Sequence, residues 1–231
     1  MTTLPAAGLA ARLHDLTTLL TAPGPFDRVR SEAAVVGLLR DHVPGVVSVS
    51  LTRCSGRSPV TAVSTDALAD RADRMQYDTG EGPCLHAMTG DELVVLDLAD
   101  GAADARWPRF RSRIAGEPAV GGVLSQPLRD GTPASLNVYL GVPVPDRDAV
   151  AAAAAAACLA LAAVATRARA DQLTEALASS RTIGTAIGVL MARHGWTQDA
   201  AFTALREASQ HANRKLRDVA ADVVGTGEVP T

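Results

Sequence analysis

The sequence predicts an α+β domain, an antiparallel sheet flanked by helices, followed by a long α-helical coiled-coil linker and a carboxy-terminal three-helix bundle. Three observations lead there. Alternating Val/Ser segments separated by turns run through the first part of the chain. Proline then vanishes between Pro145 and Pro230, so a helix can run unbroken. The closing segment holds short apolar stripes at helical period. The predicted organisation is an N-terminal helical segment at 1–24, an α+β domain at 25–145, an alanine-rich linker at 146–172 and the bundle at 173–231.

The elements follow in order. Residues 28–43 (RVRSEAAVVGLLRDHV) place Val29, Ala33, Val36, Leu39 and Val43 on one helical face, with Arg40 on the same face snorkelling outward, and Pro44-Gly45 ends the helix. VVSVSLTRC and SPVTAVST alternate as half-buried strands around a turn containing Gly56. ELVVLDL makes a third strand, and residues 119–129 and 134–142 a hairpin around Asp130-Gly131. Trp107-Pro108 opens a helix with proline at its first position. Strand–strand, helix, strand, helix, strand–strand is not the order of a doubly wound nucleotide fold.

From Asp148 past Met191 the helix would span roughly 65 Å at 1.5 Å per residue. Leu173, Leu177, Gly184, Ile187 and Met191 fall roughly on one seam. A helix of this length needs a partner for such a seam. A parallel homodimeric coiled coil through Leu159, Leu173 and Leu177 is the expectation, and a helix folded back on the first domain the alternative. The run Ala149–Ala165 is nearly all alanine, too weakly apolar for a membrane span, so no membrane partner is expected.

The bundle begins with Ile183, Ile187 and Leu190 on one stripe; Gly195 closes that helix and Thr197 caps the next, with Asp199 in its first turn. The second helix is expected to turn Ala201, Phe202, Leu205 and Ala208 inward. Asn213 is expected to cap a third, with Leu216, Val219, Ala220 and Val223 at i, i+3, i+4, i+7.

Composition narrows the chemistry. The chain is 231 residues long, 47% hydrophobic and only 3% aromatic, so its cores are built from Val, Leu and Ala. A net charge of −3 argues against a broad electrostatic grip on nucleic acid, so any such contact is local and shape-driven. Three cysteines in no metal-like spacing, and an amino terminus without signal-peptide order, lead us to expect a cytoplasmic protein. P-loop, G-x-S-x-G, HExxH and CxxC motifs are all absent. Cys84 and His86 alone are too few for structural zinc. We therefore expect no catalytic residues, no metal and no evident cofactor, with an unidentified small-molecule ligand in the first domain left open.

The stretch SSRTIGTAIGVLMARHGWTQDAAFTALREASQHANRKLRDVAADVV resembles the ANTAR family of RNA-binding antiterminators. The match lies in Arg181, Ile183, Ala186-x-Gly188-x-Leu190-Met191, Ala201-Phe202, Leu205-Arg206, Ala208, Asn213 and Lys215-Leu216-x-Asp218-Val219-Ala220. Upstream, QYDTGEGPCLHAM, DARWPRF, GVLSQPL and SLNVYL resemble a GAF domain. The resemblance implies a dimeric transcription antitermination regulator under control of a GAF-like sensor. Its two ANTAR modules would each grip an RNA hairpin with a six-nucleotide loop, and the paired hairpins would compete with an intrinsic terminator.

On that reading Ala186, Gly188, Ala208 and Ala212 let loop backbone approach, beside Thr182 and Thr185. Arg181, Arg214 and Lys215 meet phosphates, while Ser209 and Asn213 hydrogen-bond base edges. Each has a structural reading as well: Gly188 as a helix-packing site, Asn213 as a cap, Arg181 in a salt bridge, Arg214 and Lys215 as a solvated face. Residues 171–231 hold six Arg/Lys against seven Asp/Glu, so the module is not basic. Two other functions stay open, a DNA-binding helix-turn-helix factor and a ligand-sensing protein-interaction dimer.

Overall fold

The computed structural model describes residues 14, 17–18, 20–21, 26–56, 58–99, 105–129, 131–142 and 146–230. Of the expected helical segment at 1–24 only His14, Thr17, Thr18, Leu20 and Thr21 are described, all helical; the rest of it, and Asp130 of the expected hairpin turn, lie outside the described residues. The chain divides into two compact units, Met1–Ala168 and Arg169–Thr231.

The first unit is built on five antiparallel strands in the order β2-β1-β5-β4-β3: β1 Val46–Ser55, β2 Ser58–Ser64, β3 Val94–Asp97, β4 Gly122–Arg129 and β5 Pro133–Leu140. The period-2 alternation gives the sheet two unlike faces. One carries Val49, Leu51, Leu124, Leu128, Leu136, Val138 and Leu140 into an apolar core. The other carries Ser48, Ser50, Thr52, Ser125, Ser135, Asn137 and Tyr139, all fully buried. Helices α2 Ala67–Thr79, α3 Pro83–Thr89 and α4 Pro108–Ile114 belong to this unit as well, and Ala69, Ala72, Phe110 and Ile114 from α2 and α4 join Leu96, Val123 and Tyr139 in a second cluster.

Helix α1, Arg28–His42, is capped by the Asp27 carboxylate, which accepts from Arg30 N–H. Val36 and Leu39 are buried and Arg40 is exposed as expected, but Val29 and Ala33 do not belong to the buried face. Val29 is 64% exposed and Ala33 and Arg40 are exposed, while Ser31, Glu32, Val35, Val36 and Leu39 are buried. The rotation follows from Glu32, which accepts from Arg28 at 2.6 Å and from Arg53 on β1 at 2.9 Å. A buried carboxylate must be paired, and the pairing to a strand turns the helix.

The larger departure is in α5, one helix from Arg147 to His194. Val150, Ala154, Ala157, Leu161 and Val164 recur at spacings of four and three and join the apolar cluster of the sheet with Val35, Val36 and Leu39 of α1. Ala168 continues the stripe and is buried. Alanine allows the close seat because a methyl group holds a helix off a sheet less than any longer side chain does. The alanines expected to face a second chain at 146–172 are thus spent within the first unit, and its core reaches past the expected boundary at 145. By length and hydropathy α5 could cross a membrane, yet its apolar stripe is already packed in this core.

The second unit contains the end of α5, α6 Gln198–His211 and α7 Leu216–Thr226 around Ala186, Leu190, Ala201, Leu205, Val219, Ala220 and Val223. Thr197 caps α6 through Ala200 N–H, and Gly195 takes the left-handed conformation that closes α5. Arg217 pairs with Glu175, and Arg193 with Glu228 at 2.9 Å, so α7 runs alongside α5 in the same direction.

Two expectations fail in this unit. Phe202 is not a core residue; it is 41% exposed, because Ala201, Leu205 and Ala208 already define the inward line and Phe202 falls 100° from Ala201. Asn213 does not cap α7. Lys215 holds the N-cap position, and Asn213 sits two residues earlier with φ 49°, the left-handed region that asparagine tolerates.

If the stripe of α5 holds the first unit together, Ala154→Asp should lower its stability by about 3 kcal/mol or more, through an unpaired buried charge. A fragment ending at 145 should show no cooperative melting transition where one ending at 168 does, measured by circular dichroism. Equal melting of both fragments would contradict this packing.

Candidate nucleic-acid interface and sensor site

The polar face of the sheet converges on Asp73 of α2, which has no exposed surface. Its carboxylate accepts from Tyr139 OH at 2.5 Å, Thr61 Oγ1 at 2.8 Å, Ser50 Oγ at 3.0 Å and Asn137 Nδ2 at 3.1 Å. Asn137 in turn accepts from Ser125 and Ser135 and donates to Thr52. Among the described residues no cation pairs with Asp73. Burial pushes its pKa upward, against hydrogen bonds from Tyr139, Ser50, Thr61 and Asn137 that pull it down. The sequence showed the alternating serines but not the aspartate they surround, because Asp73 lies in a helix with no motif around it.

Gly82 turns the chain above this network. With φ 139° it occupies space that a side chain could not, since an added Cβ would stand 2.3 Å from Gln76 Oε1. That oxygen accepts from Cys84 N–H at 2.8 Å. The Cys84 thiol is buried, with its pKa pushed up to about 12 by desolvation, so it is held as an inert thiol rather than a thiolate nucleophile. His86 is exposed and stands edge-on to Trp107 at 5.7 Å. Among the described residues no group of three His, Cys, Asp or Glu could hold a metal.

In the second unit the turn between α6 and α7 gathers Ser209, Ala212, Asn213, Arg214 and Lys215. Ser209 Oγ donates to the Arg214 carbonyl at 2.6 Å and fixes the turn. Ala212, Asn213, Arg214 and Lys215 are exposed, and Ala208 is half-buried at the edge of the core. The Arg217–Glu175 pair ties this turn to the start of the bundle's first helix. Along that helix Arg181 and Thr185 are exposed, and Thr182 is half-buried. Both threonine hydroxyls donate to their own helix, Thr182 to Ala178 and Thr185 to Arg181. Gly188 is exposed with open space where a Cβ would project, so none of the described residues needs it for packing.

One expected contact residue is misplaced. Ala186 is fully buried among Leu190, Ala201, Leu205 and Val219 and presents no surface to a loop. Its spacing to Leu190 is that of the core stripe, which the choice of small residues concealed.

Three of the cations are engaged by acids of the same unit, Arg193 by Glu228 among them. Arg214 pairs with Asp222 at 2.6 Å, and Arg217 with Glu175 and Asp218. The Arg217 hydrogen bond holds the Glu175 carboxyl below the usual range, with a smaller contribution from Lys215. Arg181 and Arg206 are exposed and form no ion pair among the described residues.

Residues 171–224 match the ANTAR domain family model. The first unit is similar in fold to the GAF domain of a phosphoenolpyruvate-protein phosphotransferase from Coxiella burnetii, at 20% identity over 73% of this chain and 99% of that one, with a TM-score of 0.50. The corresponding GAF domain from Acinetobacter matches at 17% identity over 74% and 97%, TM-score 0.51. The free methionine-R-sulfoxide reductase from Neisseria meningitidis matches at 17% over 71% and 93%, TM-score 0.51. No curated protein matches the chain.

Fold and sequence together define a chain built from an α+β unit and a helical unit that carries the family match. More particularly, this chain joins a GAF-like fold to an ANTAR domain, the module of RNA-binding antitermination regulators.

A carboxyl whose pKa rises on folding binds its proton more tightly in the native state. Its contribution to stability is whole below the unfolded pKa of about 3.9 and is lost as pH rises through the higher native value. Stepwise denaturant titrations upward from about pH 4 should therefore show the wild type losing stability relative to Asp73→Asn, which lacks this titration. Parallel curves would mean that Asp73 is not strained by burial.

Proposed function

We propose that the chain acts as a homodimer whose two ANTAR modules each bind a six-nucleotide hairpin loop, and that the paired hairpins displace an intrinsic terminator so that transcription continues. The observation that carries this is the ANTAR match itself, with the α6–α7 turn offering Asn213, Arg214 and Lys215 to solvent. RNA loops present unstacked bases and a concentrated run of phosphates, so a small exposed turn can recognise them without a basic domain. Exposed ion pairs such as Arg214–Asp222 contribute little in water, and incoming phosphates replace the carboxylates. The protein works beside nascent RNA in the cytoplasm as a regulator rather than a catalyst, with the GAF-like unit reading a signal.

Dimerisation is supported by exposed leucines on α5: Leu159 at 75%, Leu173 at 61% and Leu177 at 72%. The seam is narrower than an alanine coiled coil, because the alanine stripe is occupied by the sheet. A helix-turn-helix mode is less well supported, since α6 opens on Gln198 and Asp199 and offers few base-reading groups at its start.

Fluorescence anisotropy with a paired hexaloop RNA tests the proposal. Arg214→Ala with Lys215→Ala should weaken binding and reduce the salt slope by about 1.5 to 2 units, while duplex DNA binds weakly throughout. An unchanged affinity and slope would remove the turn from the interface. Light scattering should return a dimer that Leu173→Asp with Leu177→Asp dissociates.

A further inference from the structure

We propose that Phe202 and Arg206 form a stacking platform for one unpaired base of the bound RNA loop. This rests on the RNA-binding reading above and adds a recognition site on a different face of α6 from the turn.

The chain has three phenylalanines. Phe110 is fully buried, and Phe26 is half-buried with the Arg167 guanidinium 5.6 Å from its ring centre. Phe202 alone is 41% exposed, although α6 buries smaller residues, Ala201 and Leu205, on its inward line. Arg206 follows Phe202 by one turn on the same flank, exposed, and no ion pair or hydrogen bond of its side chain is formed among the described residues. The nearby acids Asp199 and Glu207 pair with neither. Ser209 lies on this flank too, about 10 Å along the axis from Phe202 at 1.5 Å per residue, and its hydroxyl fixes the turn that presents Asn213 and Lys215.

A phenyl ring and a planar guanidinium one turn apart are the two side-chain types on which unstacked bases lie. The flank is otherwise polar, with Gln198 before Phe202 and Ser209 after it, and the unpaired cation complements a polyanion. A protein partner would call for a contiguous apolar patch; a single ring beside a free guanidinium suits a nucleobase. The phosphates then meet the turn while one base folds back along α6.

The test uses the full-length protein and a paired hexaloop RNA carrying 2-aminopurine at one loop position at a time, since stacking quenches that base. Wild type should quench one position. Phe202→Leu, which keeps the apolar volume, should lose that quenching and weaken binding about five- to hundredfold. Phe202→Tyr should retain both. Arg206→Gln, on the exposed flank, should weaken binding and lower the salt slope by about 0.7 to 0.9 units, which keeps the proposal decidable if Phe202→Leu fails to fold. Phe202→Leu binding within twofold of wild type with its quenching intact overturns the platform, as does an Arg206→Gln variant with unchanged affinity and no loop position quenched by wild type. Wild type that binds no hairpin RNA at all overturns the RNA reading and the platform with it.

Discussion

The seat of α5 on the sheet is the contact on which the rest of the structure depends. Five of its residues, Val150, Ala154, Ala157, Leu161 and Val164, close the apolar face of the GAF-like unit. The same uninterrupted helix then supplies Ala186 and Leu190 to the core of the ANTAR unit. Alanine serves both requirements: it has the highest helix propensity and permits close packing. A bundle of three short helices has little core of its own. The helix that closes the apolar face of the first unit runs on without a break and provides the first helix of that bundle.

Polar groups are used in opposite ways in the two units. In the first they are buried and fully committed: Asp73 is held by four side chains, and Asn137 links it to serines of three strands and to Thr52. Such a network carries a large penalty if any member loses its partner, and so it holds the sheet and α2 in one arrangement. In the second unit the charged groups are exposed and weakly held. Arg214 faces Asp222, Arg217 faces Glu175 and Asp218, and Lys215 lies near Glu175, all in water.

Much of this was readable from the residues. The strand pairs, the proline-opened α4, the Thr197 cap and the Gly195 stop follow from local chemistry that does not need tertiary information. The failures share a cause, which is that a pattern gives a period and not a partner. The alanine run is compatible with a second chain or with a sheet, and only packing decides. Phe202 and Ala186 exchanged their expected roles because size was weighed above angular position on the helix. Glu32 was invisible because its half-buried partner, Arg53, is remote in sequence. Asn213 suits a cap and a left-handed turn equally well, and the two-residue shift of the α7 start selected the turn.

The most direct test of the account is in vitro transcription through an intrinsic terminator preceded by two adjacent hexaloop hairpins. Added protein should raise read-through in proportion to dimer occupancy, and deleting either hairpin should abolish the effect. Termination that is indifferent to the protein at concentrations saturating the RNA would contradict it.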